Sequence, residues 1–372
     1  MHILILLIFL FAVPSWAQLD NRFFDDTIPT HKTTQEQLHL TIDLLPFHKN
    51  NEYFNPIVEG RTFFGYQAFP KLIWYTSQNV ILEVGGFLQK DFGNPQWRTI
   101  EPFMRFSYRK NNFQFIFGNL EGALTHRLIE PLFNFERLFS HRTEQGLQLK
   151  WNSSRLFLDT WIDWEKMIYP NVTFQEEFVS GVNAALALLN TPTLKISSIL
   201  QAINFHQGGQ INLPAPPDTT TPPARNALNA SLGIESSFID STALFSHIRW
   251  SLFKVLSAHT QKTRGKGWYA TLLLSTRFGT WGASYWKGMH YATTLGGELF
   301  SSYSFVPENF LYYAPIREIV IVRYILPFKF NENACLQVRT EPYYDILQKK
   351  AEISWGIYVR FFINQKLYQK VL

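Results

Sequence analysis

The chain of 372 residues is 46% hydrophobic and 17% charged, too apolar for a disordered polymer and too polar for a bundle of membrane-spanning helices. Its 34 basic and 29 acidic residues leave a formal charge of +5 without any block of like sign, so nucleic acid is not an expected partner. A single cysteine, Cys335, rules out an internal disulfide framework and a zinc site of paired cysteines, and no metal or cofactor is expected.

Ile3 to Val13 is an uninterrupted apolar run, closed by Pro14 and by Ser15-Trp16-Ala17, which places small residues ahead of a cleavage point. Residues 1–17 therefore read as a secretory signal, although the segment before the run holds His2 and no Lys or Arg. The run is shorter than the roughly 20 residues of a spanning helix. Residues 18–36 are expected to form a periplasmic N-terminal segment, and 37–372 a single β domain.

From residue 37 the dominant pattern is alternation with period two, which puts successive side chains on opposite faces of a strand. Leu38, Leu40, Ile42 and Leu44 oppose His39, Thr41 and Asp43. Candidate strands follow near residues 64, 78, 97, 111 and 144. Next, Leu156, Leu158, Ile162 and Trp164 oppose Arg155, Asp159, Asp163 and Glu165. More candidates begin near 175, 192, 225, 241, 266, 279 and 297. Val320, Val322, Tyr324, Leu326 and Phe328 then oppose Arg317, Arg323 and Lys329, another strand begins near 332, and the last runs from Ala351 to Ile363. These are seventeen candidates, an odd number, so one is a misread loop or two are one strand: sixteen is the expected count and eighteen the alternative. Many reach about ten residues, the length of a tilted membrane-crossing strand.

Connections alternate between short (76–78, 110–112, 331–332) and long (120–143, 167–174, 207–224). The Pro- and Thr-rich stretch 212–224 reads as an exposed extended loop. In hydrocarbon every backbone amide needs an internal partner, so strands cross only as a closed sheet. An antiparallel up-and-down transmembrane β-barrel in the outer membrane is the expected fold, against a large soluble sandwich or propeller. Mid-strand charges (Arg105, Arg155, Asp159, Arg323, Arg339 and Arg360) suit the wall of a water-filled lumen. Trp74, Trp97, Tyr108, Trp151, Trp164 and Trp268 are candidates for interfacial girdles, or for packing.

The segments Lys49-Asn50-Asn51-Glu52-Tyr53-Phe54, Gly118-Asn119-Leu120 through Gln145-Gly146, and Asp159-Thr160-Trp161-Ile162-Asp163-Trp164-Glu165 carry a resemblance. With the signal and the loop asymmetry, the chain resembles Gram-negative outer-membrane porins, and is most similar to the aromatic-rich, porin-like barrels of Bacteroidota. The resemblance covers the mature chain as architecture and implies a solute channel. One departure is that the chain runs past Phe361 and Phe362 instead of stopping at an aromatic residue.

No nucleophile elbow, zinc-protease motif, phosphate loop or dinucleotide fingerprint occurs, and the expectation is that the protein is not an enzyme. The loop 120–143 is the most informative stretch, with His126, Arg127, Glu130, Glu136, Arg137, His141 and Arg142 among Leu128, Phe133, Phe135 and Phe139. These charges either narrow a pore by facing one another across a gap, or fix an external loop as salt bridges. Trp161 between Asp159 and Asp163 is either a sugar platform or a lumen-filling ring. The reading adopted is a diffusion channel for small polar solutes constricted at residues 126–142. The alternatives are a non-conducting structural or surface-binding barrel and, third, a barrel hydrolase. Outer-membrane lipid and small polar solutes are the expected partners, and a homo-oligomer is left open.

Overall fold

Alternation along the chain becomes curvature once neighbouring strands pair edge to edge. The protein, described here by a computed structural model, is defined for residues 21–25, 36–170, 172, 174–208, 224–240 and 244–369. The expected signal and most of the Pro- and Thr-rich stretch lie outside the described residues. Sixteen strands form one closed antiparallel barrel in chain order, with the first paired to the last. The first eight are β1 (Gln37–Glu52), β2 (Thr62–Tyr75), β3 (Val80–Asp91), β4 (Thr99–Lys110), β5 (Phe113–Asn119), β6 (Gln145–Asn152), β7 (Leu156–Lys166) and β8 (Glu176–Asn190). The second eight are β9 (Leu194–Gly208), β10 (Arg225–Ile239), β11 (His247–His259), β12 (Gly265–Thr276), β13 (Gly279–Met289), β14 (Ile316–Lys329), β15 (Ala334–Asp345) and β16 (Lys350–Gln369). The candidate strand near 297 is the misread one. It belongs to a long connection between β13 and β14, where Glu298–Phe300 forms a short 3-10 turn.

Barrel closure leaves no free edge, which is the condition for lying in lipid. The outward positions carry exposed apolar side chains all the way round, among them Leu72, Met104, Phe117, Leu200, Leu232, Leu252 and Ile363. Trp74, Trp151 and Trp268 are also outward and exposed. Transfer of this surface to hydrocarbon is what the alternation encodes.

The inner face is mixed. On β14 the inward residues are Arg317, Ile319, Ile321, Arg323 and Ile325, all buried. Buried apolar residues of the wall, including Phe47, Ile116, Phe157, Ile203, Phe253, Trp286, Ile321 and Tyr358, form one contiguous cluster with Leu124, Leu128, Leu132, Phe133, Leu138 and Phe139 of the connection between β5 and β6. That connection therefore fills the barrel. The connection between β13 and β14 joins it through Tyr291, Leu295, Leu299 and Phe300.

Of the segment 18–36, the structure describes 21–25 and 36. Phe24 is inside the lumen, packed edge-on to Phe135 and Tyr358. Arg339 donates to the Asn21 Oδ1 (2.8 Å) and Arg360 to the Phe23 carbonyl (2.7 Å).

Candidate functional site

Charged residues enter a packed barrel only with partners, because an unpaired buried charge is far costlier than a paired one. Each charged side chain expected in the loop at 126–142 meets one or more partners, most of them on the inward faces of the wall. His126 is wholly buried, with Nε2 2.7 Å from Glu144 and Nδ1 2.9 Å from Asp159 on β7. Its ring lies flat on Trp161, which is itself 4% exposed. Trp161 is thus covered and offers no face to a sugar. The tryptophan fits because its wall neighbour is Gly181, where a Cβ would come within 2.2 Å of the indole. Burial disfavours the imidazolium, but Glu144 and then Asp159 outweigh it and raise the His126 pKa to about 9. Glu144 is correspondingly held at about 2 by His126, against the effect of its burial.

Arg127 closes the short turn Ala123–His126 in the left-handed region (φ 59°). Its guanidinium covers the Phe157 ring, and its carbonyl accepts from Gln201. Glu130 receives two bonds from Arg323 (2.8 and 2.6 Å) and one from the Tyr269 hydroxyl. Glu136 accepts from Asn51 and lies 4.0 Å from Lys49. Arg142 donates to Gln67 (2.5 Å) and to the Phe24 carbonyl (3.3 Å), joining loop, wall and N-terminal segment. The loop charges pair with the wall more than with one another.

The expected wall residues Arg105, Asp159, Asp163, Arg323, Arg339 and Arg360 all face inward. Arg105 pairs with Glu83 and caps the carbonyls of Asn119 and Leu120 where the loop departs. Arg360 forms two bonds to Asp43. Arg155 is the exception: it lies exposed in the turn before β7, because the wall strand starts one residue later, at Leu156.

Arg137, His141, Asp163 and Glu165 assemble at the end of the barrel that carries the long connections, which in outer-membrane barrels is the extracellular end. His141 Nε2 lies 3.4 Å from Asp163 and 3.7 Å from Glu165, and Arg137 is 3.0 Å from Glu165. The His141 side chain is 35% exposed while that of Asp163 is 3% exposed. Its Nδ1 makes no hydrogen bond with the described residues. Burial and the neighbouring Arg137 charge lower its proton affinity, but the bond to Asp163 and the charges of Glu165 and Asp163 more than offset them, so its pKa is raised. Among the described residues, His141, Asp163 and Glu165 are also the group whose ligand atoms lie close enough for a cation, although Arg137 already supplies positive charge there. Beside them opens a cavity of about 820 Å³, lined by Arg61, Phe64, Arg98, Asn134, Arg137 and Ser140 among others.

The model of the lipid A 3'-O-deacylase-type family matches residues 29–370. The chain belongs to that family. This overturns the expectation of a protein without enzymatic character, since the family is named for an enzyme activity. The expectation rested on the absence of contiguous motifs, whereas a barrel can bring reactive groups together from separate loops and strands. Histidine and carboxylates are brought together from a loop and a strand wall by pairing that the sequence does not display.

No curated protein matches the chain. Among solved structures it is similar to a loop-deletion form of OmpT, an outer membrane protein of Vibrio cholerae (11% identity, TM-score 0.51, 88% of this chain and 99% of that one). It is also similar to Pseudomonas aeruginosa OprD (10%, 0.50, 92% and 98%) and to Acinetobacter baumannii OccAB4 (9%, 0.50, 91% and 100%). At these identities the likeness is one of fold: a porin-like barrel of the Gram-negative outer membrane. None of these structures bears on the narrower Bacteroidota resemblance.

Sequence reading did not single out Glu144, Gln148, Asn183 or Gln201 as site residues, although all hold the loop. Gln148, Asn183 and Gln201 sit at inward parity in mid-strand, and that was the available signal. It also missed Ser237 and His247, whose Oγ and Nε2 are 2.6 Å apart on β10 and β11. That pair lies at the opposite, periplasmic end.

Proposed function

We propose that the protein is an outer-membrane hydrolase that removes an ester-linked acyl chain from lipid A, working at the extracellular mouth of the barrel. The single observation that carries this reading is the partly exposed His141 backed by buried Asp163, beside an open cavity in a member of a deacylase-type family. Asp163 fixes the imidazole through Nε2 and leaves Nδ1 toward solvent, the arrangement of an oriented general base. Water adds to the ester carbonyl carbon and gives its proton to Nδ1. The Arg137 guanidinium lies near enough to favour the negative charge that develops on the carbonyl oxygen. Collapse breaks the bond to the sugar oxygen, which leaves with the proton returned by the imidazolium. A sugar hydroxyl and a fatty acid are the products. His126 is unsuited to the same role, because carboxylates occupy both its nitrogens.

Of the seven loop residues expected at a constriction, His126, Arg127, Glu130, Glu136 and Arg142 act, in this reading, as anchors that close the lumen, while Arg137 and His141 serve the reaction at its mouth. Passive diffusion of small polar solutes is disfavoured by the apolar cluster that runs from the loop to the wall. The test is release of fatty acid from lipid A by the purified chain, read by mass spectrometry, with His141→Gln and Asp163→Asn beside it. Release that both substitutions leave unchanged, or no release at all together with steady single-channel current, overturns the proposal.

A further inference from the structure

The outer surface of the barrel carries a row of charges where lipid is expected. On β11 to β14, four outward residues stand directly opposite one another across the strands: Lys254 faces Trp268, Trp268 faces Lys287, and Lys287 faces Glu318. Lys266 lies beside the row, paired with Leu256 and Met289. Their outward direction follows from parity. Lys254 alternates with buried Phe253 and Val255 and shares its face with exposed Trp250, Leu252 and Leu256. Elsewhere among the described strands, outward acidic or basic side chains stand within one residue of a strand end. Lys254, Lys287 and Glu318 do not.

A lysine facing hydrocarbon costs about 2–4 kcal/mol at the midplane and much less near the interface. Glu318 cannot neutralise the group. It accepts a 2.5 Å bond from the Tyr285 hydroxyl and lies 3.5 Å from Lys287 alone. Lys254 has the ring of Trp268 at 5.7 Å and no acidic partner, and Lys266 has none among the described residues. Arg264, exposed in the turn joining β11 to β12, adds a further cation above them. The row lies toward the extracellular end, since Lys287 is two residues from the end of β13 and Glu318 two from the start of β14.

We infer that this sector is a docking site for a phosphorylated glycolipid of the outer leaflet, separate from the mouth of the barrel and independent of the reaction proposed there. Strands lie about 4.8 Å apart, so Lys254 and Lys287 are separated by roughly 10 Å. That spread suits two phosphates held apart by a sugar backbone better than the single phosphate of a glycerophospholipid. Trp268 between the lysines offers a ring to the apolar face of a sugar, and Glu318 with Tyr285 offers acceptors and a donor to its hydroxyls. Leu252, Leu272 and Trp250, exposed below the row, lie where acyl chains would run.

The experiment is native mass spectrometry of the full chain in detergent with three probes: lipid A, lipid A stripped of its phosphates, and phosphatidylglycerol. Hydrolysis of an acyl ester leaves phosphates in place, so this readout does not depend on the proposed deacylation. At about 1 kcal/mol per surface lysine, joint substitution Lys254→Gln, Lys266→Gln and Lys287→Gln is expected to weaken lipid A retention about a hundredfold. Lys90→Gln with Lys166→Gln, elsewhere on the barrel, should leave it unchanged. Should the triple variant fail to fold, Lys254→Gln alone is expected to lose about fivefold. Equal retention of the phosphate-free probe, or undiminished retention by the lysine variants, overturns the inference. Equal retention of phosphatidylglycerol overturns its assignment to a glycolipid.

Discussion

His126 stacks on Trp161 with ring centroids 3.5 Å apart and planes within 9°. The imidazolium is thereby closed on its face by an indole and on its edges by Glu144 and Asp159. Replacing it removes the one positive charge between two fully buried carboxylates. His126→Ala is expected to destabilise the protein by about 3–5 kcal/mol, the usual cost of orphaning a buried charge. Guanidinium unfolding of the detergent-folded protein measures this, and a loss under about 1 kcal/mol would mean that water reaches the pair.

The same pair gives a pH signature. His126 has a folded pKa of about 9 against an ordinary 6.5, so its contribution is complete below about 6.5 and is lost as pH rises through about 9. Glu144 has a folded pKa of about 2 against 4.5, so its contribution is present above 4.5 and is lost as pH falls through about 2. The gap in unfolding midpoint between the native chain and His126→Gln should therefore be widest between these limits and narrow above about pH 9. A gap that is constant with pH would show that the ring is neutral.

Gly181 tests the seat of the tryptophan. A Cβ there meets the Trp161 ring at 2.2 Å, and a rigid indole has little room to yield. Gly181→Ala should cost about 1–3 kcal/mol, as overpacking does. Unchanged stability in the same unfolding assay would place the ring elsewhere.

Hydrolysis should follow the neutral form of His141. Its pKa is raised, so the release rate climbs with pH through that value and then levels. Asp163→Asn removes the bond that raises it most, which shifts the rise to lower pH while cutting the rate about 10²- to 10⁴-fold. A profile that falls with rising pH would assign the imidazole to a different task.

Excision of the loop tests the closed lumen. Replacing residues 123–142 by a short Gly-Ser link takes away Leu124, Leu128, Leu132, Phe133 and Phe139, which complete the apolar cluster inside the wall. Steady current should appear in planar bilayers where the native chain passes none. Equal current from both would mean that solute passes beside the loop.

Much of the architecture was legible because a barrel wall repeats a local rule. Alternation marks strands such as Leu38 to Leu44 without any knowledge of what they pair with. The stretch near 297 looked similar but sits in a connection, since Leu299 and Phe300 point into a packed interior that has no ladder to join. The site was less legible. The sequence placed His126, Glu130 and Arg142 in one polar and apolar loop, yet their partners Asp159, Arg323 and Gln67 come from three different strands. Cross-strand register decides those meetings, and a shift of one residue would turn every partner outward. The row of Lys254, Trp268, Lys287 and Glu318 was hidden for the same reason, because each residue alone is an ordinary outward side chain.

The grip of Arg339 and Arg360 on residues Asn21 and Phe23 has a bearing on how the molecule is assembled. These arginines belong to the two strands made last, while the atoms they hold precede the strand made first. The seam between β1 and β16 is therefore bridged from inside the lumen as well as by its own ladder. Loss of those contacts would leave the closing pair of strands held together by backbone pairing and by direct side-chain bridges such as that of Arg360 to Asp43.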